Sequence, residues 1–404
     1  MRSQNRAYLP AVDHLRAAAA ALVLVYHGSQ LLRSDVPGAP AFSVTQWAYS
    51  ANPLETFIAE GHSGVALFMV LSGFILTTGS LGRQISYRAF MRNRLLRVGP
   101  LFGVLLMIAI VAAKDSFSLL GVAQTTLGFG TLPGGFTTGP FALVLWTVGV
   151  ELQFYLVFPF FLRLLDKHGA RPILLFIGCM AVLRTLAALT APSGFDLNQM
   201  TYYSLVGRID QFLIGMLAAY YFPRLRTLLG HVWAVAAAAT AVIAVLWWFN
   251  QVHGYADPGV WRTVWVDVEG VAWAALLVSY VGLARTGRGR LSVTLAWLGE
   301  RSYGLYLLHM PVIYLVAYRG WHLDLGSGAV VDATATALLL VLPVALALAT
   351  LTFAAVEQPF LSLRRRYVVE EARPPAPLPP RGEDETAVAQ LLASGRVPAM
   401  RVGV

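Results

Sequence analysis

Asp13-His14-Leu15-Arg16-Ala17-Ala18-Ala19-Ala20-Ala21-Leu22-Val23-Leu24-Val25-Tyr26-His27 is an apolar run entered through charges and left through a histidine. Arg2 and Arg6 precede it, as in a secretory signal. A signal's apolar region carries no charge, however, whereas Asp13, His14 and Arg16 interrupt this approach. The stretch therefore reads as a retained first membrane span. Holding a charge at the bilayer centre costs about 2.5–3.5 kcal/mol on insertion scales, so ionisable residues in such a span are functional candidates.

The rest of the chain agrees with a bilayer as its solvent. Of 404 residues, 57% are hydrophobic and 13% charged, and mean hydropathy is +0.63. Soluble domains carry roughly 25% charged residues, and one soluble core could not hide so much apolar surface. The net charge of +9 is spread between apolar segments, which fits topology and argues against nucleic acid. The single cysteine, Cys179, excludes an internal disulfide and a cysteine-based metal site and reads as a small core hydrophobe. The histidines are too dispersed for a metal site.

An all-α polytopic membrane protein is expected, with about ten transmembrane helices near 14–32, 62–81, 98–113, 142–162, 172–190, 203–222, 231–249, 263–284, 296–318 and 333–355. Segment 115–141, with Leu132-Pro133-Gly134-Gly135, reads as a loop or re-entrant piece. Alternate connections hold the basic residues: Arg83 to Arg97, then Arg163, Lys167 and Arg171, then Arg224 and Arg226, then Arg285 to Arg290, then Arg364 to Arg366. The positive-inside rule makes those connections cytoplasmic and leaves both termini there. Residues 1–368 form the transmembrane domain. Residues 369–404, with the proline-rich run 373–380, read as a disordered cytoplasmic tail. No internal repeat is evident.

Ionisable residues fall into clusters. Eleven helical steps bring Arg16 and His27 to nearly the same face, with Asp13 close to it, about 16 Å apart along the axis. That suits an elongated ligand held at its charged end by Arg16 and presenting its reactive end to His27. The alternative is topological: Asp13 and Arg16 cap the helix, and His27 bonds a neighbouring helix. Arg92-Asn93-Arg94, near Arg88 and Arg97, can cradle phosphates or simply anchor a span. Glu151 and Gln153 lie in the aromatic segment 146–155, where the carboxylate could orient a histidine or bind a sugar hydroxyl. Arg208, Asp210 and Arg184 could pair among themselves. Asp267 and Glu269 suggest a polar cavity, and His309 is a further buried histidine.

These residues resemble acyltransferase family 3, a family of integral membrane acyltransferases. Leu15-Arg16 through Tyr26-His27 is similar to its first-span signature, and Gly64 to Phe74 to its second. Arg92-Asn93-Arg94 matches its Arg-x-Arg motif. Trp146 to Tyr155 resembles its fourth-span motif, with Leu152 where many members have a second Glu. Ser302 to His309 and Glu357-Gln358-Pro359-Phe360 resemble its last signatures, so the likeness runs from about residue 9 to 366.

The resemblance implies a multi-pass protein of the inner (plasma) membrane that takes acyl-CoA, foremost acetyl-CoA, as donor substrate and holds no permanent cofactor. It implies a carbohydrate or other hydroxyl acceptor, with a surface glycan or glycolipid ahead of a secondary metabolite such as a macrolide. Arg16, Arg92 and Arg94 would hold the donor's phosphates. His27 would be general base, with Asp13 and Glu151 as further catalytic residues and Ser72 or amides near Gly73 stabilising the oxyanion. Ser72, Gln153, Arg208, Asp267, Glu269 and His309 are candidate substrate contacts. The chain ends soon after its last span, so it is expected to lack the extracytoplasmic esterase-like domain of some relatives. A proton-coupled transporter or flippase using His27, Asp267 and Glu269 is the competing reading.

Overall fold

A computed structural model describes residues 8–33, 47–112, 118–127, 129, 139–192, 195–283 and 289–369, with side chains from 144 onward in segment 139–192. The proline-rich tail and Leu132 to Gly135 lie outside the described residues.

The described chain is helical apart from one short strand pair. Its helices are α1 (Pro10–Leu31), α2 (Pro53–Ala59), α3 (Gly64–Ser80), α4 (Tyr87–Ala112), α5 (Leu119–Thr126), α6 (Gly139–His168), α7 (Arg171–Thr190), α8 (Leu197–Thr201) and α9 (Leu205–Leu229). There follow α10 (Val232–Gln251), α11 (Arg262–Leu283), α12 (Arg290–Glu300), α13 (Ser302–Arg319), α14 (Ala329–Thr336), α15 (Leu342–Thr352) and α16 (Gln358–Ser362). The last three are one rod interrupted by π-helical turns at Ala337–Val341 and Phe353–Glu357. Side chains satisfy orphan amides at several starts: Asn52 accepts from Leu54, Asp196 from Asn198, and Ser204 from Gly207. Gly320, at φ 66°, closes α13 in the left-handed region.

Among the described residues, seven helical segments are long and apolar enough to cross a membrane. Every one of the ten expected segments falls on a helix, yet α1, α9 and α13 are not among the seven. Polar residues lower their apolar content: Asp13, Arg16 and His27 in α1, Arg208 and Asp210 in α9, His309 in α13. These three lie within the bundle. The α3 segment is 78% buried, whereas the α7 segment is 11% buried and turns Leu175, Leu183, Leu186 and Leu189 outward. Cys179 is exposed on α7, not in the core as its apolar context suggests.

Glycine brings the inner helices together. A Cβ on Gly73 of α3 would stand 2.0 Å from the Phe212 carbonyl oxygen, and one on Gly215 of α9 would stand 2.1 Å from that of Val70. The two backbones touch, as small residues permit in membranes. This assigns Gly73 to helix packing. Its amide lies inside α3, where the helix ladder uses it, so it is not an oxyanion donor. At the end of the bundle where α1 begins, β1 (Gln84–Ile85) pairs antiparallel with β2 (Val368–Val369), folding the segment after α16 back beneath the bundle.

Candidate active site

A cavity opens at that same end. Arg16, Arg94, Arg97 and Arg364 line its mouth region, Ser72, Glu151 and Tyr155 its middle, and Thr147, Phe68 and Tyr306 extend the lining further. Helices α1, α3, α4, α6 and α13 each contribute one strip of it, so the lining exists only once the bundle closes.

The mouth is cationic. Arg16 pairs with Asp13, one turn earlier, at 3.6 Å, and Arg97 pairs with Glu357 at 3.6 Å. Glu357 is 1% exposed and sits in the second π-helical turn; such turns recur at functional sites. The Arg94 guanidinium lies 5.6 Å from the Phe90 ring centre and 5.7 Å from that of Tyr155. Burial and the nearby Arg97, Arg94 and Arg16 lower the Arg364 pKa to about 10. In the middle, the Ser72 hydroxyl donates to Glu151 at 3.1 Å, and the Tyr155 hydroxyl donates to the same carboxylate oxygen.

Beyond Tyr306 comes a histidine pair. The Tyr306 and His309 rings lie 5.8 Å apart. Nδ1 of His27 and Nε2 of His309 are 2.9 Å apart, and the rings stack at 24°. One ring must donate and the other accept. If His27 donates from Nδ1, its Nε2 is the basic nitrogen; His309 is then the group that sets its tautomer. On the other side, the Tyr26 ring stands 4.9 Å from His27 and 5.4 Å from His62. Glu60 accepts from His62 Nε2 at 2.8 Å, from the Trp47 indole at 2.8 Å and from the Asn250 amide at 2.7 Å.

Several expected roles change. Arg92 is exposed and lines a shallow groove with Tyr87, Leu95 and Phe360, away from Arg94. Two helical steps are 200°, so both arms of an Arg-x-Arg triplet cannot face one cavity. The same offset sends Gln153 away from Glu151; its amide donates to the Leu127 carbonyl at 3.3 Å and ties α5 to α6. Asp13 bonds Arg16 and stands about 21 Å along the helix from His27, so it is no catalytic partner of that histidine. Glu151 orients no histidine; its bonds go to Ser72 and Tyr155.

Asp267 and Glu269 do not share a polar cavity. They diverge to different arginines. Arg184 pairs with Asp210 at 2.6 Å and Asp267 at 2.8 Å, while Arg208 pairs with Glu269 at 3.3 Å rather than with Asp210. Arg208 also lies 4.2 Å from the Tyr202 ring centre and 6.0 Å from that of Trp146, the neighbour of the cavity-lining Thr147. Sequence reasoning missed Glu60 and His62, whose only signal is an acid and a histidine directly before the second span. It also left Tyr303, Tyr306 and Arg364 without a site role.

The model of the acyltransferase domain family matches residues 9–354. The chain belongs to this acyltransferase family. A Bacillus subtilis relative named as a candidate peptidoglycan O-acetyltransferase, YrhL, is 27% identical over 350 residues, covering 78% of this chain and 50% of the relative. A Komagataeibacter xylinus relative named as a candidate membrane-bound transacylase, BcsY, is 26% identical, covering 76% of this chain and 73% of the relative. The peptidoglycan O-acetyltransferase OatA of Listeria monocytogenes is 26% identical, covering 77% of this chain and 50% of the relative. The acyltransferase chain thus spans about half the length of two of these three relatives. No solved structure matches it.

Proposed function

We propose that this chain is a multi-pass plasma-membrane O-acetyltransferase. It moves an acetyl group from cytoplasmic acetyl-CoA to a hydroxyl of a cell-surface carbohydrate, with peptidoglycan the first acceptor to try given the relatives' names. The observation that carries this reading is a cavity that has guanidiniums at one end and also takes Tyr306, next to the His27–His309 pair, into its lining. On this reading the basic connections are cytoplasmic, and the cationic end of the cavity faces the side where acetyl-CoA resides.

Arg16 and Arg94 hold the donor's phosphates, and the thioester reaches past Glu151 and Tyr306 toward His27. His27 gives its Nδ1 proton to the hydrogen bond with His309 and keeps Nε2 basic. Nε2 takes the acceptor hydroxyl's proton as that oxygen attacks the thioester carbonyl. The tetrahedral adduct collapses by breaking its carbon–sulfur bond. The imidazolium then returns the proton to the departing thiolate, leaving CoA and the acetyl ester.

The test is acetyl transfer or acetyl-CoA hydrolysis by purified protein, with CoA binding measured alongside. His27→Ala is expected to lower turnover by about 10²–10⁴-fold while CoA still binds. Full turnover by His27→Ala would remove His27 as the base. A wild-type protein that neither binds nor consumes acetyl-CoA would sink the reading altogether.

A further inference from the structure

The segment after α16 is built to complete the cationic mouth, although it lies beyond the matched residues 9–354. It is fastened at three points. The Asn93 amide donates to the Arg365 carbonyl at 2.5 Å, and the Asn93 carbonyl accepts from the Arg365 amide at 3.0 Å. The Ser86 amide donates to the Tyr367 carbonyl at 2.8 Å, beside the β1–β2 pair. The Tyr367 ring is buried, 5.5 Å from that of Phe90. Asn93, the middle of the Arg-x-Arg triplet, is itself 2% exposed. It points away from Arg94 and grips the chain on either side of Arg364's neighbour.

The result is an excess of cations. Among the described residues, Arg16 and Arg97 have carboxylates within 4.0 Å, whereas Arg94 and Arg364 have none. The Nε of Arg94 is buried without an acceptor. Arg364 donates from Nε to the Leu361 carbonyl at 3.1 Å, which aims the rest of its guanidinium at the cavity it lines. Burying like charges together is unfavourable unless an anion joins them. A rigid planar fork is the group that grips phosphate oxygens well.

We propose that Arg364 is a phosphate-binding residue of the donor site and that Asn93 is the positioning residue that holds it there. This rests on the acetyl-CoA reading above. The donor is then recognised by its nucleotide phosphates as well as by its thioester arm.

The experiment compares acetyl-CoA with acetyl-pantetheine, which carries the thioester but no nucleotide, using the full chain in detergent. Arg364→Ala is expected to raise KM for acetyl-CoA about tenfold or more, with kcat little changed and acetyl-pantetheine turnover unaffected. Asn93→Ala is expected to do the same, and the double variant to add little. Arg365→Ala removes equal charge from an exposed neighbour and is expected to leave KM unchanged. An unaltered KM in Arg364→Ala would overturn the proposal while leaving the acetyltransferase reading intact. Equal loss with both donors would overturn it too, by showing a structural defect. Failure of the wild type to bind acetyl-CoA would remove the parent reading instead.

Discussion

Arg184 and Arg208 each have an acid beside them; at the opposite end of the bundle, among the described residues, Arg94 and Arg364 have none within 4.0 Å. Arg184 holds Asp210 and Asp267 and donates from Nε to the Thr263 carbonyl at 2.8 Å. Among the described residues, Arg94 has the aromatic faces of Phe90 and Tyr155 and no carboxylate within 4.0 Å. A charge matched within the protein joins helices, here α7, α9 and α11. A charge left unmatched beside a cavity waits for a ligand. The two regions look alike in sequence, since both are ionisable residues within or at the edge of apolar runs.

The sharpest way to break this contrast is at Arg184. Arg184→Ala strands two carboxylates and is expected to cost about 3–5 kcal/mol of stability, read as a lower thermal midpoint in detergent. Adding Asp210→Asn and Asp267→Asn should restore much of it. An undiminished midpoint in the single variant would show that this network does not hold the helices. Arg94→Ala should act in the other currency. KM for acetyl-CoA is expected to rise about tenfold, from loss of a charged hydrogen bond, with the midpoint unmoved or raised because like charges are relieved. A midpoint drop matching that of Arg184→Ala would erase the distinction. The smallest effect is expected at Arg92, where Ala should change stability by less than about 0.5 kcal/mol and leave KM within a factor of about two. A loss equal to that of Arg94→Ala would return both arms of the triplet to the ligand.

Hydropathy placed the ten expected segments on helices, because a bilayer imposes length and apolarity on each span, but it left out the short α2, α5 and α8, the second of them inside the segment read as a loop or re-entrant piece. It did not locate the break at Arg301, where α12 ends and α13 begins inside one expected span, nor the π-helical turns. Those depend on packing against α1 and α4. Within the site, Arg16 and Glu151 were legible as charges in apolar runs, Arg94 as part of a basic cluster at a span boundary and Ser72 as a candidate oxyanion donor, and all four line the cavity. Arg92 and Gln153 were misassigned because a motif read as a block ignores the 100° between neighbours on a helix, whereas Asp13 shares the Arg16 face but stands about 21 Å along the axis from His27. His27 and His309 stand 282 residues apart, and no local pattern could pair them. Arg364 looked like one of three anchoring arginines; only the Asn93 clasp singles it out.

The rod formed by α14 to α16 has a further consequence. Its 34 residues, from Ala329 to Ser362, would extend about 51 Å as a regular helix. The hydrocarbon layer is only about 30 Å thick. With 22% of its apolar window buried, the rod is held largely by lipid, so it must lean, curve or project from the membrane. A leaflet of different thickness therefore acts first on a helix that ends two residues before Arg364.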